Sequence, residues 1–402
     1  MISHLSERRP GRRVVISALG AGQILAWGTS FYFPAVFAEP IVAETGWPLG
    51  LVVGGTSIGL LVAGLISPKV GRIIDVRGGR PVLIASSLFF AAGLAGVAIS
   101  PALPLYLIAW ALIGVGMGTG LYDAVFAALG RIYGNEARGP ITNLTLFGGF
   151  ASTICWPLSA FMIDHVGWRN ACLIYASLHL VLILPMQALV VSGGSPKASV
   201  ISNTDQQRSE AIVRVGHEWL IFWLLALVLS ITAGIGSIVV VHLLIFLQAR
   251  GVDFAMAVSL GTLFGPAQVG ARVIERVFGS RYHPIWTMVG SCLLMAVGLI
   301  MLFGAVPPLA LVILLYGAGY GISWIVRGTL PLALFGPRRF PVLMGKLAFP
   351  SLIVQAIAPS LGALLIDWRG PNEAIGVLTV LALINVLFVG VLWSLCSRPK
   401  DG

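Results

Sequence analysis

The chain has 402 residues, of which 57% are hydrophobic and only 10% are charged. Soluble domains carry roughly a quarter charged residues, so a water-exposed globule is excluded, and the apolar content excludes disorder. The net charge of +10 then poses a question of placement relative to a membrane, not of nucleic-acid binding. Cys155, Cys172, Cys292 and Cys396 stand alone in apolar runs with no metal-ligand spacing, so they read as small buried residues.

A basic stretch (Arg8, Arg9, Arg12, Arg13) leads into an apolar segment too long for a cleaved leader, so it opens the first membrane helix. About 20 mostly apolar residues cross a bilayer. Twelve segments meet that length, predicted at 14–38, 49–68, 81–99, 103–129, 140–163, 168–191, 218–247, 254–274, 283–304, 307–334, 341–366 and 371–396. Gly265, Pro266 and Gly270 interrupt the eighth. Residues 192–217 are polar and Ser-rich and read as a linker between two six-helix halves, 1–191 and 218–402. The expected fold is an all-α polytopic membrane protein, with 12 transmembrane helices in two pseudo-symmetric six-helix bundles.

With both termini in the cytoplasm, 21 of the 25 basic residues fall on the cytoplasmic side. Only Arg169, Arg250 and Arg369 fall outside, and Arg327 lies within a span. That asymmetry follows the positive-inside rule. It predicts a multi-pass protein of a cell inner membrane. The halves also repeat: GRIIDVRGGR at 71–80 returns as ARVIERVFGSR at 271–281, pairing Asp75 with Glu275 and Arg72 with Arg272. The ladder Gly114, Gly116, Gly118, Gly120 has its counterpart in Gly317, Gly319, Gly321. Parallel six-helix repeats are a transporter architecture.

The segment from Gly71 through Asp75, Arg77 and Gly78 to Arg80 resembles the signature loop of the major facilitator superfamily. The resemblance implies secondary transport, with this loop latching the halves in one conformation. The expected latch residues are Gly71, Asp75, Arg77, Arg80, Arg272 and Glu275. Two other patterns of that family are degraded. Trp110 stands where the fourth span usually carries Arg. The fifth span reads Cys155-Trp156-Pro157-Leu158-Ser159-Ala160, without the glycines of the antiporter pattern. Both departures weigh against the usual route of drug/proton antiport.

A charge inside the bilayer costs at least ~2.5–3.5 kcal/mol on insertion scales and so calls for a reason. Asp123 and Arg327 sit near the middle of spans four and ten, at near-equivalent places after the two Gly ladders. The resemblance puts both at the central cavity. Arg327 would bind an anionic or polar group and Asp123 would carry a proton, or the two would form a fixed ion pair. Gln23, Trp27 and Tyr32 on span one, with Tyr122 and Trp324, would line a pocket for a small organic solute. His242 in span seven is a further titratable candidate.

No phosphate-binding loop, HExxH, GxSxG or metal-spaced Cys/His set occurs. The expectation is therefore no enzyme, no catalytic residue, no cofactor and no metal. The partners are a small solute, a proton and the bilayer, with no nucleic acid, and the chain is expected to act as a monomer. The leading function is secondary active transport of a small organic solute, a carboxylate or an aromatic compound, by proton-coupled alternating access. Efflux of a drug or a trivalent metalloid such as arsenite is the alternative, followed by a non-transporting membrane sensor.

Overall fold

The computed structural model describes residues 11–191 and 218–397, and no strand occurs among them. The expected linker lies outside the described residues. In chain order the helices are α1 (Arg12–Gly28), α2 (Pro34–Thr45), α3 (Leu49–Arg77), α4 (Gly79–Ile99), α5 (Leu103–Gly120), α6 (Tyr122–Tyr133), α7 (Arg138–Gly149), α8 (Ala151–Leu178) and α9 (Leu184–Val190). After the linker come α10 (Glu218–Gln248), α11 (Phe254–Gly261), α12 (Phe264–Phe278), α13 (Pro284–Phe303), α14 (Leu309–Arg369) and α15 (Pro371–Ser397). Eight helical stretches among the described residues are long and apolar enough to cross a membrane. Two of them, Leu103–Val190 and Leu309–Arg369, run far beyond one bilayer. The chain is a multi-pass membrane protein.

The turns inside the long runs have a glycine cause. Gly167 (φ 79°) breaks α8 and Gly336 (φ 73°) breaks α14, and both lie in the left-handed region that a Cβ disfavours. Each therefore reverses a helix without a loop. The first predicted span instead divides into α1 and α2, because Pro34 cannot donate to a continuing ladder. The fourth divides at Leu121, whose backbone is extended (ψ −175°). The eighth divides into α11 and α12, one turn before Gly265 and Pro266.

The buried apolar residues divide with the chain. One cluster gathers Val15 to Val191 and takes in Leu332, Phe340, Met344, Ala348, Leu352 and Ala356 from α14. Two others gather residues between Ile221 and Leu392. So α14 belongs to one side and also forms the seam with the other. At that seam small residues let backbones touch. A Cβ on Gly71 would lie 2.5 Å from the Pro341 carbonyl, and one on Gly345 would collide with the Ser67 carbonyl. Helices α3 and α14 therefore close on each other at the basic end of the molecule.

Candidate functional site

The break at Leu121 builds the centre of the molecule. It leaves α5 carbonyls without helical donors. Gln23 Nε2 donates to one of them, Gly120 O, at 2.6 Å, and Ser86 Oγ adds a bond to Gly116 O, one turn earlier, at 3.1 Å. It also starts a new helix, α6, with Asp123 in its first turn. The partial positive charge of that helix end favours a carboxylate there.

Asp123 and Arg327 meet across 204 residues of sequence. Arg327 Nε lies 2.7 Å from Asp123 Oδ1, and Nη2 lies 2.8 Å from Oδ2. Nη2 also donates to Ser351 Oγ at 2.7 Å. The guanidinium side chain is 6% exposed and the carboxylate 17%. This parallel fork is the strongest form of a protein ion pair. It leaves Arg327 neutralised.

The aromatic residues gather above the pair. Trp27 lies 5.1 Å from Tyr122, 5.3 Å from Trp324 and 6.2 Å from Tyr32 between ring centroids. Trp324 in turn meets Tyr320 at 6.0 Å and lies under the Arg327 guanidinium at 5.7 Å. Trp27 Nε1 donates to Gln23 Oε1 at 3.2 Å, which fixes the indole. The space that Trp27, Tyr122 and Trp324 enclose with Asp123 and Gln355 is about 20 Å³, room for a water. Gln355 Oε1 is buried there without a partner. A second small void, lined by Asp123, Ser67, Gly71 and Gly345, continues from it toward the basic end.

Arg272 lies elsewhere than its repeat with Arg72 implied. It is not at a loop but 3% exposed. Its Nη1 donates to Thr145 O at 2.8 Å, its Nε to Gly321 O at 3.0 Å and its Nη2 to Gln268 Oε1 at 3.4 Å. No carboxylate pairs with it among the described residues. Thr145 O also accepts from Tyr122 Oη at 3.4 Å, so this cation stands beside the aromatic group. Sequence reading passed over Arg272 as a site cation. The available signal was a basic residue within one continuous helix, past Gly265 and Pro266.

His242 stands apart from this group. Its Nε2 meets Pro359 O at 3.0 Å and its ring packs edge-on to Phe246. The remaining latch residues behave unevenly. Gly71 seats α3 on α14. Asp75, Arg77 and Arg80 have no ion pair among the described residues, and Glu275 accepts from Thr287 Oγ1 at 2.9 Å. Two arginines that sequence reading counted only as topology signals also hold this end. Arg131 donates to Ile74 O at 2.8 Å, closing the carbonyl end of α3. Arg138 donates to Gly279 O at 2.6 Å and Tyr282 O at 2.8 Å, closing the carbonyl end of α12 from across the seam. Arg276 hydrogen-bonds to Asn143 beside it.

The sequence profile of the Major Facilitator Superfamily matches residues 18–282. An uncharacterized 38 kDa protein in the 23S RNA operon of Thermoproteus tenax is 30% identical over 153 residues. That match spans 37% of this chain and 40% of that protein, less than half of either. Monocarboxylate transporter 4 of Mus musculus is 22% identical over 400 residues, 94% of this chain and 84% of that protein. Among solved structures, the human organic anion transporter MFSD10 superposes with a TM-score of 0.71 at 16% identity, covering 95% of this chain and all of that one. The E. coli fucose:proton symporter FucP superposes with a TM-score of 0.71 at 12% identity, covering 95% of this chain and 99% of that one. At such identities the likeness is one of fold. The profile match covers well over half of the sequence, so the chain belongs to the major facilitator superfamily, a family of membrane transporters and not of enzymes.

Proposed function

We propose that this transporter moves a small organic carboxylate through the membrane by alternating access, coupled to a proton. One observation carries the reading. Two guanidiniums are buried at the centre, and Arg327 is neutralised by Asp123 while Arg272 faces no carboxylate. An uncompensated cation in a low-dielectric site is costly. A ligand carboxylate supplies the missing charge and takes a planar fork well. The anion anchor is thus Arg272 in place of Arg327. Trp27, Tyr122 and Trp324 provide the apolar walls, with Tyr32 packed behind Trp27 and the buried Gln355 Oε1 as a free acceptor.

Asp123 carries the proton in this reading, because it borders both the central space and the void that runs toward the Gly71–Gly345 seam. Protonation would release Arg327 from its fork. Twelve spans in two six-helix halves, 1–191 and 218–402, joined by 192–217 at the cytoplasmic face of an inner membrane, provide the rocking frame. The relatives named above agree in class: a monocarboxylate transporter, an organic anion transporter and a sugar:proton symporter.

The test is uptake of a panel of labelled short monocarboxylates into proteoliposomes, with and without an inward proton gradient. Uptake driven by the gradient and lost in Arg272→Gln is the expected result. Saturable uptake of neutral sugars alone, with carboxylates ignored, defeats it.

A further inference from the structure

A groove of about 650 Å³ lies at the basic end, away from the central site. Its walls come from three helices. Glu218, Trp219 and Trp223 lie at the start of α10, Arg339, Lys346 and Phe349 lie on the part of α14 after the Gly336 turn, and Pro68 lies on α3. Its apolar lining is open to the surroundings of the protein: Trp219 is 73% exposed and Trp223 50%. These indoles lie 6.1 Å apart, edge to face, one helical turn from each other. On a membrane helix such a pair marks the level where the hydrocarbon meets the headgroups.

The polar groups of the groove are not balanced. Arg339 Nη1 lies 2.8 Å from Glu218 Oε2, which ties α14 to α10 and uses the acidic group. Lys346 is exposed and has no ion pair or hydrogen bond among the described residues. It sits seven residues beyond Arg339, about 10 Å further into the helix at 1.5 Å per residue. Helical side chains lean toward their own N-terminus. The Lys346 ammonium is therefore carried back along the groove toward Arg339 and the indoles. A lysine at that depth needs either water or an anion to receive its charge.

We propose that this groove binds one anionic glycerophospholipid. Its phosphate would pair with Lys346 on the headgroup side, and an acyl chain would lie along Trp219, Trp223 and Phe349. The charge supports a phospholipid of net negative charge, because the one carboxylate present is taken by Arg339. The position supports a lipid over a soluble anion, because the apolar wall continues past the interfacial indoles and the cation to Phe349, further along α14. The occupant would bridge α3, α10 and α14 beside the Gly71–Gly345 contact. It would thus favour the form in which the basic end is closed.

The test is native mass spectrometry of the full chain, purified from vesicles of phosphatidylcholine with one fifth phosphatidylglycerol and stripped stepwise with detergent. The expected result is phosphatidylglycerol retained over phosphatidylcholine, with the preference about fivefold lower in Lys346→Gln. Lys346 is exposed, so that variant keeps its fold, and melting in the absence of lipid checks this. Trp219→Ala should shorten retention of both lipids and leave the preference between them. A melting shift on adding phosphatidylglycerol, with none on adding inorganic phosphate, assigns the lipid as the source. Equal preference in Lys346→Gln and the unaltered chain overturns the proposal. So does an equal shift with phosphate, or no lipid retained by either chain, the result expected if the 192–217 segment fills the groove.

Discussion

Arg272 and Arg327 are chemically the same group in the same low-dielectric region, and their partners separate their roles. Arg327 has a forked carboxylate and a serine hydroxyl, whereas Arg272 has two backbone carbonyls and a side-chain amide. Neutral acceptors satisfy the donors of Arg272 but leave its charge. Removing one side of a buried pair costs about 3–5 kcal/mol, because the other charge is left without compensation. Asp123→Asn and Arg327→Gln should each lower the melting temperature in detergent, and the double variant should recover part of the loss. Two single variants that melt like the unaltered chain would show the pair to be solvated and free. Arg272 should behave differently. Arg272→Lys keeps the charge and loses the fork, so it should raise the KM for a carboxylate substrate by about tenfold, the loss of one charge-assisted hydrogen bond. Its melting temperature should fall as well, because a lysine cannot keep all of the bonds to Gly321 O, Thr145 O and Gln268 Oε1. An unchanged KM would remove Arg272 from the substrate contact.

The same two residues show how far a sequence reaches. A charge in mid-span is conspicuous, so Asp123 and Arg327 could be singled out, but their pairing spans 204 positions and no local pattern encodes it. Arg272 was concealed by its own repeat. Because ARVIERVFGSR echoes GRIIDVRGGR, it was assigned to the membrane edge with Arg72. Arg72 is exposed there, whereas the equivalent position on α12 turns inward against Gly321 and Thr145. Two copies of one motif can thus differ in depth. Membrane class and family were legible, because apolar length and a glycine-acid-glycine loop are properties of short segments.

At the scale of elements, the basic end closes by backbone contact and by arginines on helix ends. Gly71 has no space for a side chain beside Pro341 and Gly345. Gly71→Val should therefore force α3 off α14 and favour the opposite state. A cysteine placed at Ser67, which is buried at this seam, would report it. Its labelling by a maleimide from the basic side should accelerate severalfold in Gly71→Val. Equal rates would mean that the seam is open already. His283 sits at the other closure, just before α13, and its Nδ1 accepts the Ile285 amide at 3.2 Å. Burial first, and the Arg138 charge second, hold its imidazole below the ordinary histidine value. A depressed folded value means that the unfolded chain binds the proton more readily. The stabilisation is thus complete above about pH 6.5 and is lost as pH falls toward the folded value. Between pH 8 and 5 the melting temperature should fall more steeply for the unaltered chain than for His283→Asn. Parallel curves would take His283 out of the account.

At the scale of the whole molecule, the charge that excluded a soluble protein becomes a statement about direction. The helix ends near Gly71, Arg131, Arg138 and Arg276 all lie at one pole, held by the contacts that close the seam. Exposed tryptophans lie at both poles, Trp219 and Trp223 at this one and Trp368 at the other. Such residues favour the water interfaces of a membrane. The opposite pole has few arginines, and two of them are tied down: Arg169 to Glu44 at 2.8 Å and Arg250 to Asn372 at 2.8 Å. The positive charge therefore concentrates at one pole, and that pole should face the cytoplasm. An even number of crossings then puts both termini there, and an odd number separates them. Fusing a fluorescent protein to either terminus should give fluorescence, since it matures in the cytoplasm. Alkaline phosphatase fused to the same ends should stay inactive. An active phosphatase at the C-terminus, with a fluorescent fusion at the N-terminus, would show an odd number of crossings. It would break the two-fold repeat on which the rocking mechanism depends.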